Sequence, residues 1–175
     1  TKAHGPAVSS MGWRFKDADF ALKEAVRRGA KVAGGDTDLP YPAIYGIGDS
    51  LIYFIDCYGP QASIYDELFV NIDDPIYRQS LGFLRIDHLT NNVYKGTMGK
   101  WSDFYKNIFG FTEVRYFDIK GVKTGLTSYA LKSPCGQFCI PINEGNENKS
   151  QIEEYLRDYN GPGVQHIAFL TEDII

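Results

Sequence analysis

The chain has 175 residues, 43% of them hydrophobic and 23% charged, with a formal net charge of −4. That is an ordinary globular balance, with room for one domain or two small ones. Without a basic run it excludes a nucleic-acid footprint, and no segment approaches the about 20 apolar residues of a membrane span. The opening TKAHGPAVSS lacks the charged-then-apolar form of a secretory signal. Cys57, Cys135 and Cys139 are too few for a disulfide framework and read as reduced thiols of a cytoplasmic protein. No further cysteine or nearby histidine completes a zinc set around Cys135 and Cys139.

GPAVSSMGWRF reads as a strand, and DADFALKEAVRRGA as a helix. Ala18, Ala21, Leu22, Ala25 and Val26 recur on one helical face, Asp17 or Asp19 caps the start, and Gly29 supplies the stop. YPAIYGI and SLIYFID flank Gly48-Asp49, a hairpin pattern. Residues 57–81 show no sustained period and contain Pro60 and Pro75, so they read as an interdomain connection. FLRIDHLTNNV is then a strand. Trp101, Phe104, Tyr105 and Ile108 mark a helix closed by Gly110, followed by strands at 111–119, 124–132 and 137–143. Ser150 with Glu153 makes a capping box for a helix carrying Ile152, Tyr155 and Leu156, and VQHIAFL is the last strand.

An internal repeat runs through this order. GPAVSSMGWRFKDA (5–18) aligns without gaps on GPGVQHIAFLTEDI (161–174), each a strand leading into a helix start, with Ser10 where the later copy has His166. The first copy therefore enters where the second leaves off. A duplicated protein would extend beyond this chain at both ends, and the chain reads as a central piece of one.

Two histidines in strands carry the candidate chemistry. Alternation places Leu84, Ile86, His88 and Thr90 on one face, with Arg85, Asp87 and Leu89 opposite. In the last strand Val164, His166 and Ala168 share a face, with Gln165 opposite. A lone strand histidine is ordinarily a hydrogen-bonded core residue. Two in matching settings, among three in the chain, favour metal ligation, because neutral imidazole offers a lone pair without burying charge. Ser128 on 126–130 and Asn143 on 137–143 would add a hydroxyl and an amide if they line the same cavity, although each taken alone suits a strand end or surface.

RIDHLTNNVYKG, DFYKNIFGFTEVRYFDIKG, TGLTSYAL, IPINE and QIEEYLRDYNGPGVQHIAFLTEDI together resemble bacterial 4-hydroxyphenylpyruvate dioxygenase. The match runs from about residue 84 to the end and is looser over 1–58. The resemblance implies an α+β fold of the vicinal-oxygen-chelate type, with βαβββ modules forming open curled sheets, incomplete at both ends. It implies that 1–58 is the latter part of an N-terminal domain without metal, 59–81 a connection, and 82–175 the first part of an iron-binding domain. It places Fe(II) on His88 and His166. The family's third ligand is a glutamate near its C-terminus, and no glutamate of this chain matches that motif. It also places Ser128, Pro141, Asn143, Gln151 and Gln165 along the substrate pocket.

The implied reaction takes 4-hydroxyphenylpyruvate and O2 to homogentisate in tyrosine and phenylalanine catabolism. Two histidines and a carboxylate on one face of Fe(II) leave positions for a chelating 2-oxo acid and for dioxygen. Decarboxylation of the oxo acid then supplies electrons for ring hydroxylation and side-chain migration. Alternatives are an oxygenase of the same fold giving 4-hydroxymandelate, and a non-catalytic module that binds a ligand in the same cavity. The chain by itself is expected to be inactive for want of the third ligand. An unpaired sheet edge offers a second copy a place to pair, so a homo-oligomer is open to it.

Overall fold

The computed structural model describes residues 4–35, 37–60, 62–70, 72, 82–120 and 125–174. The first unit runs β1 (Ser10–Arg14), α1 (Ala18–Arg27), β2 (Ala43–Tyr45) and β3 (Leu51–Ile55). Asp17 accepts a hydrogen bond from the Phe20 amide at 2.8 Å, so the first of the two expected caps is the one used. The sheet order is β1-β3-β2, with β1 parallel and β2 antiparallel to β3. An isolated antiparallel bridge, Val32↔Ile44, stands ahead of β2 at the outer edge. The expected hairpin closes through a short 3-10 turn, Ile47–Asp49, in which Gly48 (φ 64°) and Asp49 (φ 57°) both take left-handed backbone.

The second unit repeats this plan at larger scale: β4 (Phe83–Val93), α3 (Met98–Phe109), β5 (Thr112–Lys120), β6 (Gly125–Lys132) and β7 (Cys139–Gly145). After α4 (Gln151–Asp158), β8 (Gly163–Thr171) returns beside β4. The five-stranded order is β5-β6-β7-β4-β8, with β4 parallel to β7 and antiparallel to β8. Each unit is therefore a strand and a helix followed by further strands, two with an isolated bridge ahead of them in the first and three in the second, and in each the first and last strands are parallel neighbours. β8 is a further strand laid against the first strand of the second unit, as the repeat in the sequence predicts.

Two expectations change. Val26 does not join the buried face of α1 and is 43% exposed; Ala18 and Ala25 carry that face. The connection holds a short helix, α2 (Ile64–Leu68), too brief to show a period. The Ser63 amide and hydroxyl both donate to Asp66, and Glu67 accepts from Tyr41 and Cys57, which ties α2 to the first unit. Residues 61, 71 and 73–81 of the connection lie outside the described residues. The three cysteines are free, as expected.

One apolar cluster runs through both sheets. It joins Met11, Ile52 and Phe54 to Tyr105, Ile108, Phe111, Leu131, Ile140 and Ile142. Trp13 of β1 sits in the middle, its ring 4.7 Å from Phe109, 5.3 Å from Phe138, 5.7 Å from Phe111 and 6.1 Å from Tyr105. α3 and the first unit thus cover the face of the second sheet that carries Leu89, Leu131, Ile140 and Ile142. The opposite face is left for the site.

Candidate metal centre

Register groups the candidate residues. On β4, His88 pairs with Cys139 and Asn92 with Asn143 of β7. On β7, Asn143 pairs with Ser128 and Pro141 with Ala130 of β6. On β8, His166 pairs with Thr90 and Ala168 with His88. Paired residues point to the same side of a sheet, and so do residues two apart on one strand. Ser128, Pro141, Asn143, Thr90, His88 and His166 therefore share the face opposite α3. Gln151 opens α4 and is exposed, so the register argument does not reach it.

His88 and His166 are diagonal neighbours across the β4–β8 ladder. Their ring centroids are 5.4 Å apart at 79°, and the two Nε2 atoms approach to 3.4 Å. Asp87 Oδ2 lies 2.8 Å from His88 Nδ1. A carboxylate only accepts, so Nδ1 carries the hydrogen, and in the neutral ring Nε2 then keeps its lone pair. Gln165 Oε1 stands in the same relation to His166 Nδ1. The two lone pairs consequently face each other, an arrangement that calls for something positive between them. Thr90 Oγ, buried at 3% exposure, lies 3.0 Å from His166 Nε2 and can donate to that same lone pair when no cation holds it.

Strand alternation assigns Asp87 and Gln165 to the wrong face. The β4–β8 register slips between Ile86 and His88, and again between Thr90 and Asn91. Asp87 is the extra residue in the first slip and Gln165 in the second. Each bulge turns its side chain beside the histidine that follows. The last strand is thus bulged at Gln165, and Asp87 is a site residue that alternation alone does not flag.

Burial lowers the His166 pKa from its ordinary 6.5, and proximity to His88 lowers it further, which keeps the ring neutral and its lone pair available. Burial and the Asp87 carboxylate raise the Cys139 thiol, so the sulfur opposite His88 stays protonated and does not compete as a thiolate. The third histidine is elsewhere: His4 Nδ1 donates to the Tyr159 carbonyl at 2.7 Å, and its ring stacks on Tyr159. Ser10, the repeat counterpart of His166, lines an open cleft of about 490 Å³ on the first sheet with Lys31, Asp38, Tyr45 and Tyr53, and no histidine is among its walls.

The pair fits a cation. Imidazole–metal bonds of about 2.0–2.1 Å span nitrogens up to roughly 4 Å apart, and 3.4 Å lies inside that reach. Among the described residues no group of three or more His, Cys, Asp or Glu side chains forms a complete ligand set, so the histidines supply two donors.

Comparison with known proteins bears on the family and the fold. Residues 1–70 match the family model for the N-terminal part of hydroxyphenylpyruvate dioxygenase, and residues 85–175 match the glyoxalase/bleomycin resistance protein/dioxygenase superfamily. Protein MelA of Shewanella colwelliana is 65% identical over 99% of this chain and 51% of its own length. A 4-hydroxyphenylpyruvate dioxygenase of Pseudomonas aeruginosa is 47% identical over 98% of the chain and 49% of its own length. The chain thus spans about half the length of these curated relatives. Among solved structures, a 4-hydroxymandelate synthase variant from Streptomyces coelicolor superposes with a TM-score of 0.80 at 21% identity, over 99% of this chain and 51% of that one, which shows the shared fold.

Proposed function

This chain belongs to the glyoxalase/bleomycin resistance protein/dioxygenase superfamily, and we propose that it forms part of a non-haem iron dioxygenase that converts 4-hydroxyphenylpyruvate and O2 to homogentisate. The 3.4 Å approach of two Nε2 atoms whose partners fix both lone pairs inward carries the reading. The likeness to curated dioxygenases supports it.

In this reading His88 and His166 hold Fe(II), and the third ligand is a carboxylate outside the pairing described here. Bound iron supplies redox chemistry with dioxygen and open positions for the oxo acid. The chain's own residues do the rest. Gln165 holds the His166 ring through Nδ1 and Asp87 holds His88, while Thr90, whose hydroxyl lies against His166 Nε2, must release that nitrogen for the ring to bind metal. Asn143 donates to Asn92 at 3.3 Å, which steadies an amide on the site face beside the Ser128 hydroxyl. Ser128 and Asn143 then orient the polar end of the substrate, and Pro141 and Ala130 give its ring an apolar wall. Gln151 reaches the substrate from the start of α4. Gln165 meets substrate only by exchanging its bond to His166.

Oxygen uptake by a full-length protein carrying this chain, given Fe(II) and 4-hydroxyphenylpyruvate, tests the proposal. His88→Ala or His166→Ala is expected to abolish uptake, and wild-type turnover in both variants would overturn it. Homogentisate is the product expected; 4-hydroxymandelate would place the oxygen on the side chain instead, and substrate binding without iron would indicate a non-catalytic module.

A further inference from the structure

Each of the two histidines is preceded by a residue that bulges out of its strand; the third slip of this ladder, at Leu84, lies away from both rings. The β4–β8 pairing advances from Ile86↔Phe169 to His88↔Ala168, two residues on β4 for one on β8, and from Thr90↔His166 to Asn91↔Val164, one for two. The extra residues are Asp87 and Gln165. A regular strand would point them to the covered side of the sheet, away from the ring that follows. The bulges turn both onto their neighbours, and both present an oxygen to Nδ1. The same device is thus built twice, on two antiparallel strands, at the two positions that matter.

We propose that Asp87 and Gln165 are a matched pair of positioning residues that lock both imidazoles in the Nδ1–H tautomer and aim both Nε2 lone pairs at one cation. Which nitrogen of an imidazole is free is set by the bond that the other makes. Partners of this kind orient a ligand and raise its basicity, and their loss costs 10- to 100-fold in metal affinity. The pair is unequal. Asp87 brings a full negative charge to His88, whereas Gln165 brings a neutral amide to His166. His88 is therefore the stronger donor, and His166, whose Nε2 must leave the Thr90 hydroxyl to bind a cation, is the one that adjusts. The cation in this statement rests on the function proposed above; the tautomer lock does not.

Long-range 1H–15N correlation spectra of the metal-free chain, above neutral pH, read the tautomer of each ring directly, and a Co(II) titration reads affinity. Wild type is expected to show Nδ1–H on both His88 and His166. Asp87→Ala should release the His88 tautomer, leave His166 unchanged and weaken Co(II) binding 10- to 100-fold. Asp87→Asn keeps an oxygen acceptor and should restore the tautomer, which separates the lock from any general loss of fold. A His88 that carries its hydrogen on Nε2 in wild type, or a tautomer indifferent to Asp87→Ala, overturns the proposal. If Co(II) does not bind wild type while Asp87→Ala still frees the ring, the metal reading fails and the lock stands. If Co(II) binds and neither quantity responds to Asp87→Ala, the lock fails and the metal reading stands.

Discussion

Replacing Trp13 by alanine tests whether the two sheets share one core. The indole belongs to the first unit, yet all four aromatic neighbours named above, Tyr105, Phe109, Phe111 and Phe138, belong to the second. Truncating a packed Trp to Ala costs about 3–5 kcal/mol. Trp13 is only partly buried, so the low end, about 3 kcal/mol, applies. A domain is stable by only about 5–15 kcal/mol, so this is a large share. With a urea m-value of about 2 kcal/mol/M, the midpoint should fall by about 1.5 M. The chain has two tryptophans, so Trp101 of α3 remains to report on the second unit by fluorescence while circular dichroism reports on both. Wild type should show one coincident transition by both probes. Trp13→Ala should move the Trp101 signal as well as the total, and Trp13→Phe should recover much of the loss. A Trp101 midpoint shifted by less than about 1 kcal/mol would mean that the units fold independently, and the shared-core argument would be wrong.

Gly48→Ala is expected to destabilise by more than about 2 kcal/mol in the same assay: the residue is left-handed at φ 64°, and a Cβ there would overlap the Pro162 carbonyl just ahead of β8. Unchanged stability would show that this loop and the turn before β8 do not touch. His166 gives a pH signature. Its folded pKa lies below the ordinary 6.5, so the unfolded chain binds the proton more readily. Its contribution to stability is full above 6.5 and is lost as pH falls through the lower folded value. His166→Gln should flatten that part of the wild-type stability profile, measured by urea melts from pH 7.5 downward, and an unchanged slope would contradict the assignment.

Much of the framework is legible from pattern. FLRIDHLTNNV reads as a strand and is one over its whole length, although its burial does not alternate but runs from an exposed start at Phe83 to a buried end at Val93. Trp101, Phe104, Tyr105 and Ile108 announce α3, and Gly110 ends it in left-handed backbone. The strand faces that group His88 with Thr90, and Asn143 with Pro141, follow from side-chain alternation, whereas the pairing of Ser128 with Asn143 comes from the register. What pattern does not carry is a departure from it. A bulge is one residue of slippage set by pairing with a distant strand, so nothing local to Asp87 or Gln165 says that they turn beside their histidines. The helix α2 fails for another reason: five residues are barely more than one turn, too few to repeat a period. The way Trp13 crosses from one unit into the other is likewise a tertiary fact, invisible in the chain order.

The account stands on His88 and His166 taking hold of a single ion. Zn(II) titrated into the chain labelled with 15N-histidine tests it most directly. Both Nε2 resonances should move together and saturate at one equivalent, while His4, bound to Tyr159 away from the pair, stays in place. Shifts at only one of the two rings, or separate saturation of each, would contradict it.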